Sequence, residues 1–381
     1  MESSNNKVYQ IGETLSPEQA MQCALDISLN GAGLVSPNPL VGCVIVDKEH
    51  HFLSMGAHLK FGGPHAEINA IQDIQNKQQL VGATFYVTLE PCAHQGKTGS
   101  CAKRITELSV KKVVYGAKDP NPLVAGQGIE ILKAAGVEVE CLTGMKEACL
   151  QSAEQFHHHI KTKKPFVAIK VGVSLDGKMA LPSKESQWIT GPEARLYARN
   201  LRAHYDATMV GAGTIIHDNP TLDFRDTKFA LEKKNKIIIV DPKSLINKKL
   251  LETKVFKTHG PENIFVLRPL SANDDLEELG VGSLNLDLNA NSWQKALEAL
   301  YKLKIYSIYV EGGSFVFAQL LKHRLAQKLY LFQANKIIGD GMSWSKAFSI
   351  DRLDEALKLK EISSTSVGDD TLRVFYFSFQ S

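Results

Sequence analysis

Four residues in the first third of the chain could do chemistry together. His65-Ala66-Glu67 opens a helical pattern, Cys92 follows His65 by 27 positions, and Cys101 follows Cys92 by nine. One imidazole and two thiolates are borderline-to-soft donors that suit zinc. Three protein ligands leave a fourth position for water, the pattern of a catalytic site. A fourth side chain would close the site and make it structural, and His94 could supply one. Glu67 favours the open site. It is poorly placed as a ligand beside His65, but its carboxylate could take a proton from a metal-activated water and pass it to a leaving amine. A disulfide between Cys92 and Cys101 is the competing reading. It fits badly with six sparse cysteines in a long chain whose polar N-terminus predicts no secretory signal.

These residues need elements to hold them. Ser16-Pro17-Glu18 is a helix start, and the helix runs toward Leu29. Cys43–Val46 predicts a strand with a hairpin turn at 47–51, and 65–75 a helix. Residues 83–89 predict a strand, 102–108 a helix, 112–116 a strand, 129–135 a helix and 137–141 a strand. Alternation of this kind predicts an α/β layer architecture. Residues 143–160 read as one helix. It contains His157-His158-His159, which cannot share one facial metal site because adjacent helical positions diverge. KTKKP at 161–165 marks a boundary. Further strands are expected at 166 onward, 207–211, 237–240, 264–267, 305–310 and along the tail, with a helix from Gly191 to Ala203.

The 381 residues are 44% hydrophobic and 22% charged, enough for more than one core. A net charge of +3 gives no ground for nucleic-acid binding, and no run of about 18 apolar residues suggests a membrane span. In the second half, VGAGT at 210–214 and VEGGS at 310–314 are strand-to-glycine turns. Their backbone amides could receive a diphosphate, although no third glycine completes a dinucleotide fingerprint.

The order H-x-E, Pro-Cys, Cys resembles the zinc deaminases, with eight residues between the cysteines in place of two. SPNPLVGCVIV, GAHLKFGGPHAE, TLEPCAHQGKTGSC and KDPNPLVAGQG carry a closer resemblance, as do IKVGVSLDGKMA, SQWITGPEAR, LRAHYDATMVGAGT, HDNPTLDFR and YVEGGS. Together they resemble the bifunctional deaminase/reductases of riboflavin biosynthesis, from about residue 15 to the C-terminus. The resemblance implies a cytidine-deaminase-like three-layer α/β domain over 1–146, a linker helix over 147–164 and a dihydrofolate-reductase-like domain over 165–381. It implies zinc on His65, Cys92 and Cys101, with Glu67 shuttling protons. Asn38, His58, Lys97, Asp119 and Asn121 would contact the pyrimidine and its ribose phosphate. Gly172, Trp188, Thr214, Asp218 and Gly313 would line an NADPH site, and Ser186, Arg202, Leu222, Arg225 and Glu311 the reductase substrate site. Two arginines there suit a phosphate, and Lys170, Asp176 and Glu311 are candidate proton donors.

The resemblance further implies a cytoplasmic, homo-oligomeric enzyme. It would take a small phosphoribosylaminopyrimidine, with no nucleic-acid or membrane partner. A zinc deaminase of another nucleoside or a tRNA base, with a diverged second domain, is the alternative. The chain departs from the family pattern at Gly99-Ser100, where two prolines are usual, and at Ala153, where Asn is often found. It departs again at Pro242, where a serine hydroxyl is common.

Overall fold

The alternation read from the sequence builds two sheets. The computed structural model describes residues 9–93, 99–122, 124–183, 185–224, 233–269, 276–287 and 289–378. The chain divides into two compact units, 1–163 and 164–381. No helix among the described residues is long and apolar enough to cross a membrane.

In the first unit, Gly42–Val46 (β1), Phe52–Ala57 (β2), Thr84–Leu89 (β3), Lys112–Ala117 (β4) and Glu138–Cys141 (β5) form a sheet in the order β2-β1-β3-β4-β5. β1 is antiparallel to β2 and β3, whereas β3, β4 and β5 run parallel. The helices are Pro17–Ser28 (α1), Ala66–Asp73 (α2), Cys101–Thr106 (α3), Gln127–Ala134 (α4), Lys146–Ser152 (α5) and Glu154–Thr162 (α6). β1 and β3 are buried on both faces, and their alternate residues feed two different cores. Cys43, Ile45, Phe85 and Val87 pack with Ala70 and Ile71 of α2, Ile105 of α3 and Leu132 of α4. Val44, Val46 and Tyr86 face the other way, onto Met21 and Ala24 of α1 and Cys149 of α5, with Phe156 of α6 packed against them. The result is helix–sheet–helix.

The single helix expected over 143–160 is two. Ala153 breaks it with φ −105° and ψ 20°, and no glycine or proline marks the break. The segment expected as a linker packs on the first unit's core: Cys149 and Ala153 are buried, as are His157 and His159.

In the second unit, nine strands form one sheet. They are Phe166–Ser174 (β6), Ala207–Gly211 (β8), Lys236–Val240 (β9), Ile264–Arg268 (β10), Gly282–Asn285 (β11), Ser307–Val310 (β12), Lys328–Ala334 (β13), Leu359–Val367 (β15) and Asp370–Phe377 (β16). Lys178–Ala180 (β7) and Met342–Ser343 (β14) make a separate small ladder. The order is β11-β10-β9-β8-β12-β6-β13-β16-β15, parallel through β13 and antiparallel at the β16 and β15 edge. Helices Pro192–Leu201 (α7), Ala212–Asp218 (α8) and Lys254–His259 (α9) cover one face. Ala290–Lys302 (α10) and Ser314–Lys322 (α11) cover the other. In open parallel sheets of this kind the ligand crevice lies beyond the carboxyl ends of the strands. Here β8 runs into α8 at Gly211, and β12 runs into Glu311 and then α11.

Candidate active sites

The first site is assembled from two helix starts and a strand end. His65 is the residue before α2, and its ring makes no capping bond. Cys101 is the first residue of α3, and Cys92 follows β3. Ser100 ties the two cysteines together: its hydroxyl donates to the Cys92 carbonyl at 2.9 Å and accepts from the Lys103 N–H at 3.3 Å. The Cys101 N–H donates to Cys92 Sγ at 3.4 Å. Two glycines let the backbones come this close. A Cβ at Gly56 of β2 would lie 2.4 Å from the Ala70 nitrogen and 2.5 Å from the Ala66 carbonyl oxygen, so α2 rests on bare strand backbone. A Cβ at Gly128 of α4 would lie 1.8 Å from the Pro91 oxygen, beside Cys92.

His65 Nδ1 lies 3.4 Å from Cys92 Sγ and 3.3 Å from Cys101 Sγ. Zn–N and Zn–S bonds of ordinary length at a tetrahedral angle place N and S about 3.5 Å apart. The donor set and its spacing therefore fit zinc. All six cysteines are free, which sets the disulfide aside. Hydrogen bonding from Cys101, together with His65, holds the Cys92 thiol down to about 4, and the same hydrogen bond, with burial, raises the Cys101 thiol. Glu67 is buried beside them. Burial, and then the Cys92 charge, pushes its carboxyl up to about 7.

His65, Glu67 and Cys92 line a cavity of about 380 Å³ together with Asn38, His58 and Asp119. His58 Nδ1 lies 2.9 Å from the Pro64 carbonyl, which only accepts, so that nitrogen carries the proton. Burial holds the ring's pKa below the usual histidine value. Nε2 is then the acceptor facing Asn38 Nδ2 at 3.1 Å, and this fixes which way the Asn38 amide points. Asn121 does not line the cavity; its N–H donates to Asp119 Oδ1 at 2.8 Å. Lys97 and His94 lie outside the described residues. Sequence reasoning missed Glu90, a buried carboxylate in the cavity wall. It accepts from the Gly126 N–H at 2.7 Å and the Asp119 N–H at 3.3 Å. It also missed Phe61 and Phe156, both in the wall.

The second site is a cavity of about 480 Å³ at the carboxyl ends of β8 and β12. Gly172, Ser186, Trp188, Arg202, Thr214, Asp218, Leu222 and Glu311 all line it. Gly313 does not. It precedes α11 with φ +81°, which lets the EGG turn double back, and a Cβ at its neighbour Gly312 would lie 2.9 Å from Thr214 Oγ1. The two glycine turns thus abut. Leu222 has φ +54°, a costly conformation for a branched side chain. Arg225 lies outside the described residues.

Glu311 is buried between two cations. Arg202 grips it with Nε on one oxygen and Nη2 on the other at 2.9 Å, and Lys170 Nζ lies 3.7 Å away. Burial alone would raise the Glu311 carboxyl; Arg202 and then Lys170 override it and hold it at about 2. Burial pulls Lys170 below its usual value despite Glu311. Asp176 is elsewhere: it is not in the cavity wall, and its carboxylate accepts from Ser174 Oγ and the Ile338 and Gly339 N–H groups. Arg195 lies 4.3 Å over the exposed Trp188 indole. Arg195, Arg199 and Lys254 add cationic character to a wall that also carries the bare backbone of Gly172. This set is suited to a phosphorylated dinucleotide and a phosphorylated substrate.

Residues 15–117 match the cytidine and deoxycytidylate deaminase zinc-binding region, and 165–373 match the RibD C-terminal domain. The riboflavin biosynthesis protein RibD of Actinobacillus pleuropneumoniae is 37% identical, over 94% of this chain and 95% of that one. The Escherichia coli (strain K12) RibD is 33% identical, over 93% and 98%. Among solved structures, Acinetobacter baumannii RibD (form 1) aligns with a TM-score of 0.82 at 33% identity, over 95% of this chain and 99% of that one. The diaminohydroxyphosphoribosylaminopyrimidine deaminase/5-amino-6-(5-phosphoribosylamino)uracil reductase of Thermotoga maritima aligns at 0.81 and 34%, over 95% and 98%. The first unit is cytidine-deaminase-like and the second dihydrofolate-reductase-like. With both halves matched along one chain, the protein belongs to the RibD family of riboflavin biosynthesis, a zinc-dependent deaminase joined to an NADPH-dependent reductase.

Proposed function

We propose that residues up to about 163 deaminate 2,5-diamino-6-(5-phosphoribosylamino)pyrimidin-4(3H)-one and that the remainder reduces the ribosyl group of the product to ribityl. The carrying observation is the trio His65, Cys92 and Cys101, with His65 Nδ1 3.3–3.4 Å from both sulfurs, and buried Glu67 lining one cavity with His65 and Cys92. In the deamination, water adds at the amine-bearing ring carbon, ammonia leaves and a carbonyl remains. His65, Cys92 and Cys101 would hold zinc, which when bound supplies a Lewis acid that makes water a nucleophile at neutral pH. Glu67 takes the proton from that water on a carboxylate oxygen and hands it to the departing amine. Asn38, oriented by His58, presents its amide oxygen to the pyrimidine, and Asp119 faces the same ring or its ribose.

In the reduction, the C1′–O4′ bond breaks as the ring oxygen takes a proton and the nitrogen lone pair forms an iminium with C1′; hydride then adds at C1′ and leaves the neutral secondary amine. NADPH, when bound, supplies that hydride. Glu311 cannot give the proton at neutral pH, because Arg202 and Lys170 hold it ionised. Asp176 is out of reach, occupied in its own turn. Lys170 Nζ remains, a cation in the cavity wall with its pKa lowered by burial. Arg202 keeps two N–H groups beyond its bonds to Glu311 and to the Asp223 carbonyl, and these are available to a substrate phosphate. The same reading makes the enzyme cytoplasmic, homo-oligomeric and without a nucleic-acid partner; sedimentation of the purified protein tests the second point.

Glu67→Ala should keep zinc and lose deamination by a factor of about 10² or more. The same variant should still oxidise NADPH when given the deaminated substrate. Unchanged deamination in that variant sinks the mechanism. Deamination of free cytidine or an adenosine-containing tRNA, in preference to the diaminopyrimidine phosphate, would favour the other deaminase reading.

A further inference from the structure

Residues 118–164 lie outside both family matches, and they include α6. Two of its side chains, one turn apart on one face, reach the deaminase site. Phe156 lines the cavity that holds His65, Glu67 and Cys92. His159 is buried, its ring stands edge-on to Phe156 with centroids 5.5 Å apart, and its Nε2 lies 3.0 Å from the carbonyl oxygen of Pro37. That oxygen only accepts, so Nε2 is the protonated nitrogen and the ring is a donor. Pro37 is followed by Asn38, whose amide lies in the cavity wall and is gripped from its other side by His58. Asn38 is therefore held through its own side chain and through the peptide before it, and the second hold comes from a helix 122 residues away in sequence.

We propose that α6 is part of the deaminase site: Phe156 is a specificity-determining wall of the pyrimidine pocket, and His159 is a positioning residue that holds the Pro37-Asn38 turn. The break at Ala153 lets α6 leave the line of α5 and present this face. The deaminase then extends to the end of α6, and a boundary at residue 146 cuts through it. The inference rests on assigning this cavity to the diaminopyrimidine substrate.

The test uses the full-length, zinc-loaded protein. His159→Leu removes the donor from the Pro37 carbonyl; KM for deamination should rise about tenfold, with kcat, zinc content and the reductase rate unchanged. His159→Gln places an amide donor near the same point and should recover most of the loss. Phe156→Ala, with Phe156→Leu as a milder replacement, should raise KM without changing zinc content. Unchanged KM in His159→Leu and Phe156→Leu overturns the proposal. So does a parallel fall of kcat and zinc content, which would make α6 a prop for the fold alone. Wild-type turnover of the diaminopyrimidine phosphate tests the substrate assignment separately, so an active wild type with unaffected variants refutes the role of α6 and nothing else.

Discussion

Glu311→Gln is the sharpest test of how the reductase site stores charge. The side chain is 9% exposed, and it balances Arg202 at 12% and Lys170 at 22%. Held at about 2 against an ordinary 4.5, the carboxyl contributes about 3 kcal/mol of stability at neutral pH. An independent route gives the same size: removing one partner from a buried ion pair costs about 3–5 kcal/mol, because the other charge stays buried and uncompensated. The sign with pH follows from the depressed value. The contribution is complete above about 4.5, falls as pH drops, and more than half is gone by about pH 3. Glutamine has no such dependence, so the gap between wild type and variant should narrow from pH 4.5 toward 2. All three tryptophans, Trp188, Trp293 and Trp344, lie in the second unit, so urea unfolding followed by tryptophan fluorescence reads that unit alone. A difference at pH 7 under about 1 kcal/mol, or a gap that stays constant down to pH 3, refutes the argument that Glu311 is a paired carboxylate.

Gly56→Ala puts a methyl 2.4 Å from the Ala70 nitrogen, so α2 must shift by about an ångström. We expect a loss of about 3 kcal/mol and zinc below one equivalent by atomic absorption; full zinc occupancy would mean that α2 is not seated by this contact. Glu90→Ala leaves the Asp119 and Gly126 N–H groups without their acceptor. It should raise the deaminase KM by roughly tenfold or more with zinc retained, and an unchanged KM would show that the 118–126 loop is held by other means. Removal of zinc by a chelator should abolish deamination and leave both NADPH oxidation on the deaminated substrate and the tryptophan-detected transition as they were. Loss of the reductase rate on chelation would contradict the separation of the two sites.

What could be read from the sequence was local chemistry. His65, Glu67, Cys92 and Cys101 announce themselves because metal ligation and proton transfer each demand particular residue types. The start of α1 was legible because Ser16 caps it with its own hydroxyl; Ser100 caps α3 in the same way, but in the sequence it stood out only as part of a departure from the family pattern. The reductase residues were legible only through the family resemblance. Arg202 and Glu311 are 109 positions apart, and nothing local distinguishes their buried pairing from two surface charges. The break at Ala153 was invisible because alanine favours a helix and no glycine or proline interrupts it.

The unread part of the deaminase site has a common cause. Glu90 binds backbone N–H groups 29 and 36 positions on, and His159 binds a backbone carbonyl 122 positions back. Every residue but proline carries such an N–H, and every residue such a carbonyl, so the partner leaves no mark in residue type. Glu90 and His159 nevertheless act on two of the loops that bear predicted pyrimidine contacts, Asp119 in one and Asn38 in the other. The metal ligands need less distant help, because α2 and α3 seat His65 and Cys101 and the Ser100 cap of α3 holds Cys92. The substrate contacts lie on loops, where a precise position has to come from outside the loop. Lesions in the ligands should therefore show in zinc content and kcat, and lesions in Glu90 or His159 in KM. Joint effects of Glu90→Ala with His159→Leu should be close to additive, since they act on separate loops. A strongly non-additive pair would mean that the two loops move as one body.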